Sequence, residues 1–317
     1  MMPGPQSSLD AAGSAARVTG HLLWLFVIPL AIIFVIVVAI AVVAIFRKHR
    51  ESGRPAVETE RGLTRMVTGA SVLTCVILLG LIAVSVSTGK AISDRAMPRN
   101  ALTIEVTGNQ WWWSVRYLND DASLIVTTAN EIHVPVGRPI LIRGVSADVI
   151  HSFWVPGLIG KRDLIPSRVT TEWFTAEREG NYRGQCAEFC GLQHAHMAMW
   201  VVAESPARFQ AWMNAQLGDS ANPVTPAEQQ GQKVFLEHAC ALCHTIRGTT
   251  ANGQVAPDLT HLASRLTIAA GTLPNNRGNL AGWITDPQSI KPGNHMATVP
   301  LAAEDLHPLL DYLGSLR

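Results

Sequence analysis

Charge is scarce in this chain. Asp, Glu, Lys and Arg make up only 15% of its 317 residues, and 25 basic residues nearly cancel 24 acidic ones. A net charge of +1 excludes a nucleic-acid binder built on bulk positive charge. A hydrophobic content of 48% equally excludes a disordered polyelectrolyte. Cysteine is scarce too: five residues are too few for a disulfide scaffold in a chain this long. Cys75, inside an apolar run, is a small hydrophobe. The other four form two close pairs, Cys186 with Cys190 and Cys240 with Cys243, and such pairs with histidines nearby point to cofactors. No internal repeat is visible.

Charge is missing altogether from Leu22 to Phe46 and again from Met66 to Gly89. Each run can cross a bilayer core of about 30 Å at about 1.5 Å per residue. A cleaved signal peptide fits the first run poorly, because the run is too long and no basic segment precedes it. The expected organisation is an N-terminal extracytoplasmic segment 1–21 and a transmembrane hairpin 22–89, with spans 22–46 and 66–89 and a cytoplasmic loop 47–65. The loop holds Arg47, Lys48, Arg50, Arg54, Arg61 and Arg65 against Glu51, Glu58 and Glu60, whereas Arg17 is the one basic residue among the first twenty. The positive-inside rule puts that loop in the cytoplasm, although Lys90, Arg95 and Arg99 reduce the contrast. The loop glutamates are solvated by default. Everything after residue 90 is then outside.

Between 101 and 205 the segments LTIEVTG, WWWSVRY, PILIRGV and RVTTEWFTA alternate or are rich in β-branched and aromatic residues, with turn formers at their ends. A hundred residues of this kind predict a small β-sandwich or Greek-key barrel. An amphipathic stretch at 206–217 and a polar linker at 218–225 follow. The remaining residues, 226–317, are helical in pattern: Pro226 and Glu228 open a helix, and LAAEDLHPLLDYLGSL closes the chain.

The densest chemistry is GQCAEFCGLQHAHMAMW, which spaces Cys186, Cys190, His194 and Met197 as C-x3-C-x3-H-x2-M, with His151 upstream in DVIHSFWVP. Two thiolates, two imidazoles and a thioether suit copper. Thiolates bridging two copper ions would share one unpaired electron, and such a site changes its bonding little on redox. A Cys2His2 zinc site leaves Met197 without a role. A disulfide and a mononuclear blue-copper site are the other readings, and the latter leaves one cysteine spare.

Positions 101–203, with the two-span hairpin before them, resemble the cupredoxin domain of cytochrome c oxidase subunit II. The resemblance lies in GNQWWWSVRY, DVIHSFWVPGLIGKRDLIPSR and YRGQCAEFCGLQHAHM. It implies that Cys186 and Cys190 bridge a dinuclear copper centre, with His151 and His194 as terminal ligands and Met197 as a weak axial ligand. Glu188 would give its backbone carbonyl to copper and its carboxylate to a magnesium or manganese ion shared with the catalytic subunit. Tryptophans alternating on a strand are ordinarily packing, but Trp111 aligns with the family's electron-entry residue. Asn109, Ser167 and Glu179 depart from the family's usual histidine, glycine and proline, and none is a ligand position.

CALCH, Cys240 to His244, is the C-x-x-C-H pattern of covalent haem: two thiols for thioether bonds and a histidine for iron. A thioredoxin-like dithiol would need a βαβ context that is missing here. Met296 is the one methionine after Met213, and His238, His261, His295 and His307 are the rival sixth ligands. A thioether raises the haem potential relative to a second imidazole. Residues 226–317 look like a class I cytochrome c, with VAPDLTHLASR and WITDPQSIKPGNHM after the motif. That resemblance assigns Met296 to the iron and Pro257 to the loop supporting His244, although Ala297 stands where the family often has proline. Six basic and seven acidic residues in 226–317 give no support to strong electrostatic steering. His21, His49, His133 and His196 are expected to be structural or exposed.

The expected architecture is therefore multidomain: a transmembrane hairpin, a cupredoxin-like copper domain over 90–217, and an all-α cytochrome c domain over 226–317. The resemblance implies an electron-transfer subunit of a respiratory haem–copper oxidase in the cell membrane of a bacterial-type cell. Subunits I and III and an upstream cytochrome c or quinol–cytochrome c reductase would be its partners. Fusion of the donor replaces a diffusional encounter with an intramolecular one. No candidate for a second haem or a three-histidine copper is present, so oxygen reduction belongs to another subunit. The electron-input subunit of a copper-containing nitric oxide reductase is the alternative, and a tethered copper carrier is a third reading.

Overall fold

The computed structural model describes residues 4–46 and 56–317. Arg47, Lys48, Arg50, Glu51 and Arg54 of the expected cytoplasmic loop, and His49, lie outside the described residues. The chain forms two compact units, one of residues 18–96 and one of the N-terminal residues to Arg17 together with 97–317.

The first unit is carried by helices α1 (Ser14–Phe46) and α2 (Ala56–Ser93). Both are long and apolar enough to cross a membrane, and their apolar side chains, Phe34, Val35, Ile45 and Leu79 among them, are exposed. Both run beyond the uncharged stretches 22–46 and 66–89, because a helix continues past the hydrocarbon while polar side chains reach the interface. Pro29 lies inside α1.

The larger unit begins with two five-stranded sheets. One has the order β3 (Val126–Ala129), β2 (Trp112–Tyr117), β1 (Leu102–Asn109), β5 (Pro139–Ser146) and β8 (Thr170–Thr175). The other has the order β4 (Glu131–Pro135), β10 (Ala198–Glu204), β9 (Gly180–Cys186), β6 (His151–Val155) and β7 (Ile159–Leu164). Alternation along β1 and β2 buries Leu102, Ile104 and Val106 with Trp113, Val115 and Tyr117, so the faces meet over one apolar core. The N-terminal segment is bound to this domain. Ala12 exchanges backbone bonds with Gly157 and Glu177, Asp10 pairs with Arg178, and a Cβ on Gly13 would lie 2.3 Å from the Leu158 carbonyl oxygen.

Helix α3 (Pro206–Leu217) starts under a Ser205 cap and packs Phe209 and Trp212 near Tyr117. The polar stretch after it does not hang free: Arg247 donates to the Gln216 and Leu217 carbonyls, and Ser220 bonds to the Arg247 carbonyl. Helices α4 (Pro226–Glu237), α5 (Cys240–Cys243), α6 (Arg277–Thr285), α7 (Pro287–Ile290) and α8 (Ala303–Ser315) build the last domain. Thr225 and Glu228 form a capping box at the start of α4. Val234 and Phe235 of α4 join Leu309, Tyr312 and Leu313 of α8 in a second core. The expected irregularity at His307-Pro308 falls inside α8, which carries Pro308 in its first half.

The α4–α8 crossing depends on Gly231, where a Cβ would lie 2.0 Å from the Pro308 carbonyl oxygen. Gly231→Ala drives a methyl group into backbone, and the helices must separate. We expect a loss of about 3 kcal/mol. For a domain of this size that lowers the melting temperature by on the order of 10 °C, followed through haem absorbance.

Candidate metal and haem centres

Strand β9 ends at Cys186, and the loop from there to β10 carries the remaining sulfur and imidazole groups. His151 opens β6, which pairs with β9 through Phe153 and Cys186, so a residue 35 positions upstream reaches the loop. Cys186 Sγ and Cys190 Sγ lie 3.8 Å apart, in contact and unbonded. Around them the donors fall into two sets. His151 Nδ1 is 3.9 Å from Cys186 Sγ, and the Glu188 carbonyl oxygen is 3.2 Å from the same sulfur. His194 Nδ1 is 3.6 Å from Cys190 Sγ, and Met197 Sδ is 3.8 Å from it. Ligand atoms of His151, Cys186 and Cys190 all lie within 4.8 Å of one another, close enough to share a metal.

Cys186 is pushed down to about 3, chiefly by the Cys190 thiol donating to it, against burial and with help from His151. Cys190 is pushed far up, because a second thiolate would form beside the first in a buried place. One sulfur thus ionises freely, and the second needs a cation beside it. Burial pulls the His151 pKa down, but hydrogen bonds to Cys186 and Asp148 outweigh it and the pKa rises.

Asp148 was missed in the sequence, where nothing sets one surface aspartate apart. Its Oδ1 accepts from His151 Nε2 at 2.7 Å, which turns Nδ1 toward the sulfurs, and its Oδ2 accepts from the Gln110 backbone at 2.6 Å. Such carboxylates orient ligand imidazoles, so Asp148→Ala should weaken copper binding about 10- to 100-fold in a chelator competition. His196 points elsewhere, to Gln193 Oε1. Trp113 is core, edge-on to Phe153, whereas Trp111 donates from Nε1 to the Cys190 carbonyl at 3.0 Å.

In the second domain, α5 is a single turn that presents Cys240 and Cys243, with His244 directly after it. The loop 251–259 wraps this turn: Ala256 bonds back to Cys243, Leu259 to Thr245, and a Cβ on Gly253 would meet Cys243 backbone at 2.6 Å. His244 Nδ1 donates to the Pro257 carbonyl at 2.7 Å, leaving Nε2 as the available ligand atom. Burial holds this imidazole neutral, below its ordinary range, against the Pro257 hydrogen bond and aided by the nearby charge of Arg265. Leu242 within the motif and Val255 beside it are each 75% exposed, an apolar surface suited to a flat apolar ring. Arg265 is buried and its Nε has no partner among the described residues, so an anionic edge of a prosthetic group would satisfy it.

The rival sixth ligands separate. His261 is buried with Nδ1 2.8 Å from the Arg317 carbonyl and Nε2 3.1 Å from that of Gly218, so both nitrogens are engaged. His238 is the C-cap of α4, and His307 is exposed on α8. His295 lies with its ring centroid 5.6 Å from that of Trp111. Met296 packs against the haem-domain core, its carbonyl held by Gln288 and its N–H by Asn294.

His133, expected to be structural or exposed, is structural and half-buried. It bonds Glu131 at 3.0 Å and Glu204 at 2.8 Å and stacks on Trp212. Burial opposes its charge, but the two carboxylates prevail and raise its pKa. Glu131 also accepts from the Leu266 N–H of the second domain.

A cupredoxin-like β-domain with a thiolate–imidazole cluster, a c-type cytochrome domain and two membrane-length helices define a membrane-anchored electron-transfer protein. The family model described as cytochrome c oxidase subunit II, periplasmic domain, matches residues 118–205, and that for cytochrome c matches residues 228–317. Cytochrome c oxidase subunit 2 of Alkalihalophilus pseudofirmus is 34% identical, over 98% of this chain and 91% of that protein. The Cereibacter sphaeroides protein of the same name is 28% identical, over 68% of this chain and 84% of its own length. The solved periplasmic domain of subunit II of cytochrome oxidase from Bradyrhizobium japonicum is 32% identical, with a TM-score of 0.36 over 38% of this chain and 96% of that one. The chain belongs to the cytochrome c oxidase subunit 2 family. It is an electron-transfer subunit of a multi-subunit haem–copper oxidase, with two membrane spans and extracytoplasmic domains whose types suggest copper and haem c.

Proposed function

We propose that Cys186 and Cys190 bridge two copper ions and that Cys240 and Cys243 bind one haem c covalently. The observation that carries the copper reading is the division of the other donors into two sets about a sulfur pair 3.8 Å apart. His151 with the Glu188 carbonyl would complete one ion, and His194 with Met197 the other. A single zinc or blue-copper ion has no use for so many donors. His244 and Met296 would hold the iron from its two sides. When bound, these groups supply one-electron carriers between a donor and the subunit that reduces oxygen to water with proton pumping. The protein's own work is to bury the sulfurs, fix each imidazole tautomer through Asp148 or Pro257, and hold the two domains together.

In this reading 90–217 is the copper domain, 226–317 the haem domain and 218–225 their connection. The partners are subunit I, subunit III and an upstream cytochrome c or quinol–cytochrome c reductase. Glu188 is exposed while its carbonyl faces Cys186, which leaves the carboxylate free for a magnesium or manganese ion at the subunit I interface. The test is purification of the complex through a tag on this chain, with metal analysis and gas consumption from an artificial donor. Three copper ions per complex, two of them on this chain and one in the oxygen-reducing subunit, are expected with one covalent haem per chain and cyanide-sensitive oxygen uptake. Nitric oxide turnover with negligible oxygen uptake, or only two copper ions per complex, would overturn the reading.

A further inference from the structure

We propose that the haem domain of this chain is docked on Trp111, that Lys291 locks it there, and that His295 is the contact through which electrons cross to the copper loop. External donors are thereby shut out of Trp111. The inference rests on the metal and haem assignments above and adds the route between them.

Trp111 is 7% exposed. It belongs to the copper-domain core, and Lys291 and His295 of the other domain lie against it. Lys291 Nζ donates to the Trp111 carbonyl at 3.0 Å and to the Ala269 carbonyl at 3.3 Å, so one ammonium ties the β1–β2 turn to two segments of the haem domain. Lys291 is 3% exposed, and burial lowers its pKa to about 8. Burying an ammonium is costly unless its donors are used, so a lysine in this place is a geometric constraint and not a solvated tether. Neighbouring contacts set the same register. Gln193 Nε2 donates to the Pro292 carbonyl at 2.7 Å, and Ala198, next to Met197, donates its N–H to the Ala270 carbonyl at 2.9 Å. Gly293 has φ +81°, and a Cβ there would lie 2.8 Å from Leu192 Cδ1, so the Leu192 side chain packs on the Gly293 backbone.

These anchors bring one ring of the haem domain against the indole: the His295 and Trp111 centroids are 5.6 Å apart at 44°. His295 is one peptide bond from Met296. On its far side Trp111 Nε1 donates to the carbonyl of Cys190 at 3.0 Å. Met296, His295, Trp111 and Cys190 thus form a continuous line of covalent bonds, one ring contact and one hydrogen bond between the two candidate centres. With both groups bound, one electron at a time would cross this line, oxidising the haem side and reducing the copper side, with no bond made and no proton moved. An external cytochrome cannot stack on an indole already covered, so its electrons must enter through the haem domain.

The experiment compares Lys291→Met, His295→Ala and His295→Phe with the native chain in the purified oxidase. Copper and haem contents are measured first. Loss of either from the native complex would overturn the site assignments, whereas the present inference is judged on loaded protein. Hydrogen exchange of the 108–113 segment reports docking independently of turnover, and flash reduction of the haem reports transfer to copper. Lys291→Met should lose the protection of 108–113 and slow transfer at least about tenfold, as small misplacements of reacting partners do. His295→Ala should keep the metal and haem spectra but slow transfer about tenfold, with His295→Phe restoring most of the rate. Unchanged protection and rate in Lys291→Met would overturn the lock, and an unchanged rate in His295→Ala would overturn the route. Rapid hydrogen exchange of 108–113 in the native complex would overturn the closure of Trp111.

Discussion

Replacing Cys190 with serine should remove the two copper ions proposed for this chain, leaving the purified complex with the oxygen-reducing subunit's copper alone, and reduce oxygen uptake to background, while the covalent haem remains. Cys190 Sγ stands at the centre of the cluster, 3.8 Å from Cys186 Sγ, 3.6 Å from His194 Nδ1 and 3.8 Å from Met197 Sδ. A serine hydroxyl is harder and shorter, stays protonated at neutral pH, and cannot bridge two soft ions. Folding should survive. The contacts that hold the loop at this position, from Gln110 Nε2 at 2.7 Å and Trp111 Nε1 at 3.0 Å, go to the backbone carbonyl, which serine keeps. Hydrogen exchange separates a site defect from a folding defect, because a misfolded domain would lose protection of β9 and β10 as well as copper. Full copper and normal uptake in Cys190→Ser would show that the second sulfur is not a ligand.

What could be read from the sequence was local. Cys186, Cys190, His194 and Met197 occupy one loop, so their spacing announced them, and CALCH is contiguous. His151 is a different case: only the pairing of β6 with β9 brings it to Cys186, and it was placed by resemblance. Alternation exposed β1 and β2 because one face of each is core, whereas β7, mostly exposed between Ile159 and Leu164, has no such pattern. Gly231, Asp148 and Lys291 were not legible at all. The first matters through a backbone 77 positions away, and the others through tertiary hydrogen bonds that leave no period in the sequence. A lone lysine in a polar segment looks solvated until the carbonyls of Trp111 and Ala269 close around it.

If Met296 holds the iron as proposed, substituting leucine for it should leave the haem attached through Cys240 and Cys243 but strip the thioether from its iron. Leucine matches methionine in volume, so the packing against the haem-domain core is kept and the change is electronic. The iron then takes water or a weaker donor, and the haem potential should fall by on the order of 0.1–0.2 V, within the roughly 0.8 V that axial ligation spans. At about 59 mV per tenfold for one electron, 0.1 V makes reduction by an unchanged donor about 50-fold less favourable. Uptake driven by the physiological donor should drop accordingly, and a strongly reducing artificial donor should restore much of it. That pairing distinguishes a potential shift from a broken domain, since misfolding would not be rescued by a stronger reductant. His295 supplies the counter-test. It is the nearest rival in sequence, yet its ring lies against Trp111, and His261 is engaged at both nitrogens. If Met296→Leu left the potential and the iron–sulfur absorbance unchanged while His295→Ala altered both, the ligand would be His295. The haem would then be bis-histidine, and His295 would serve the iron instead of the indole.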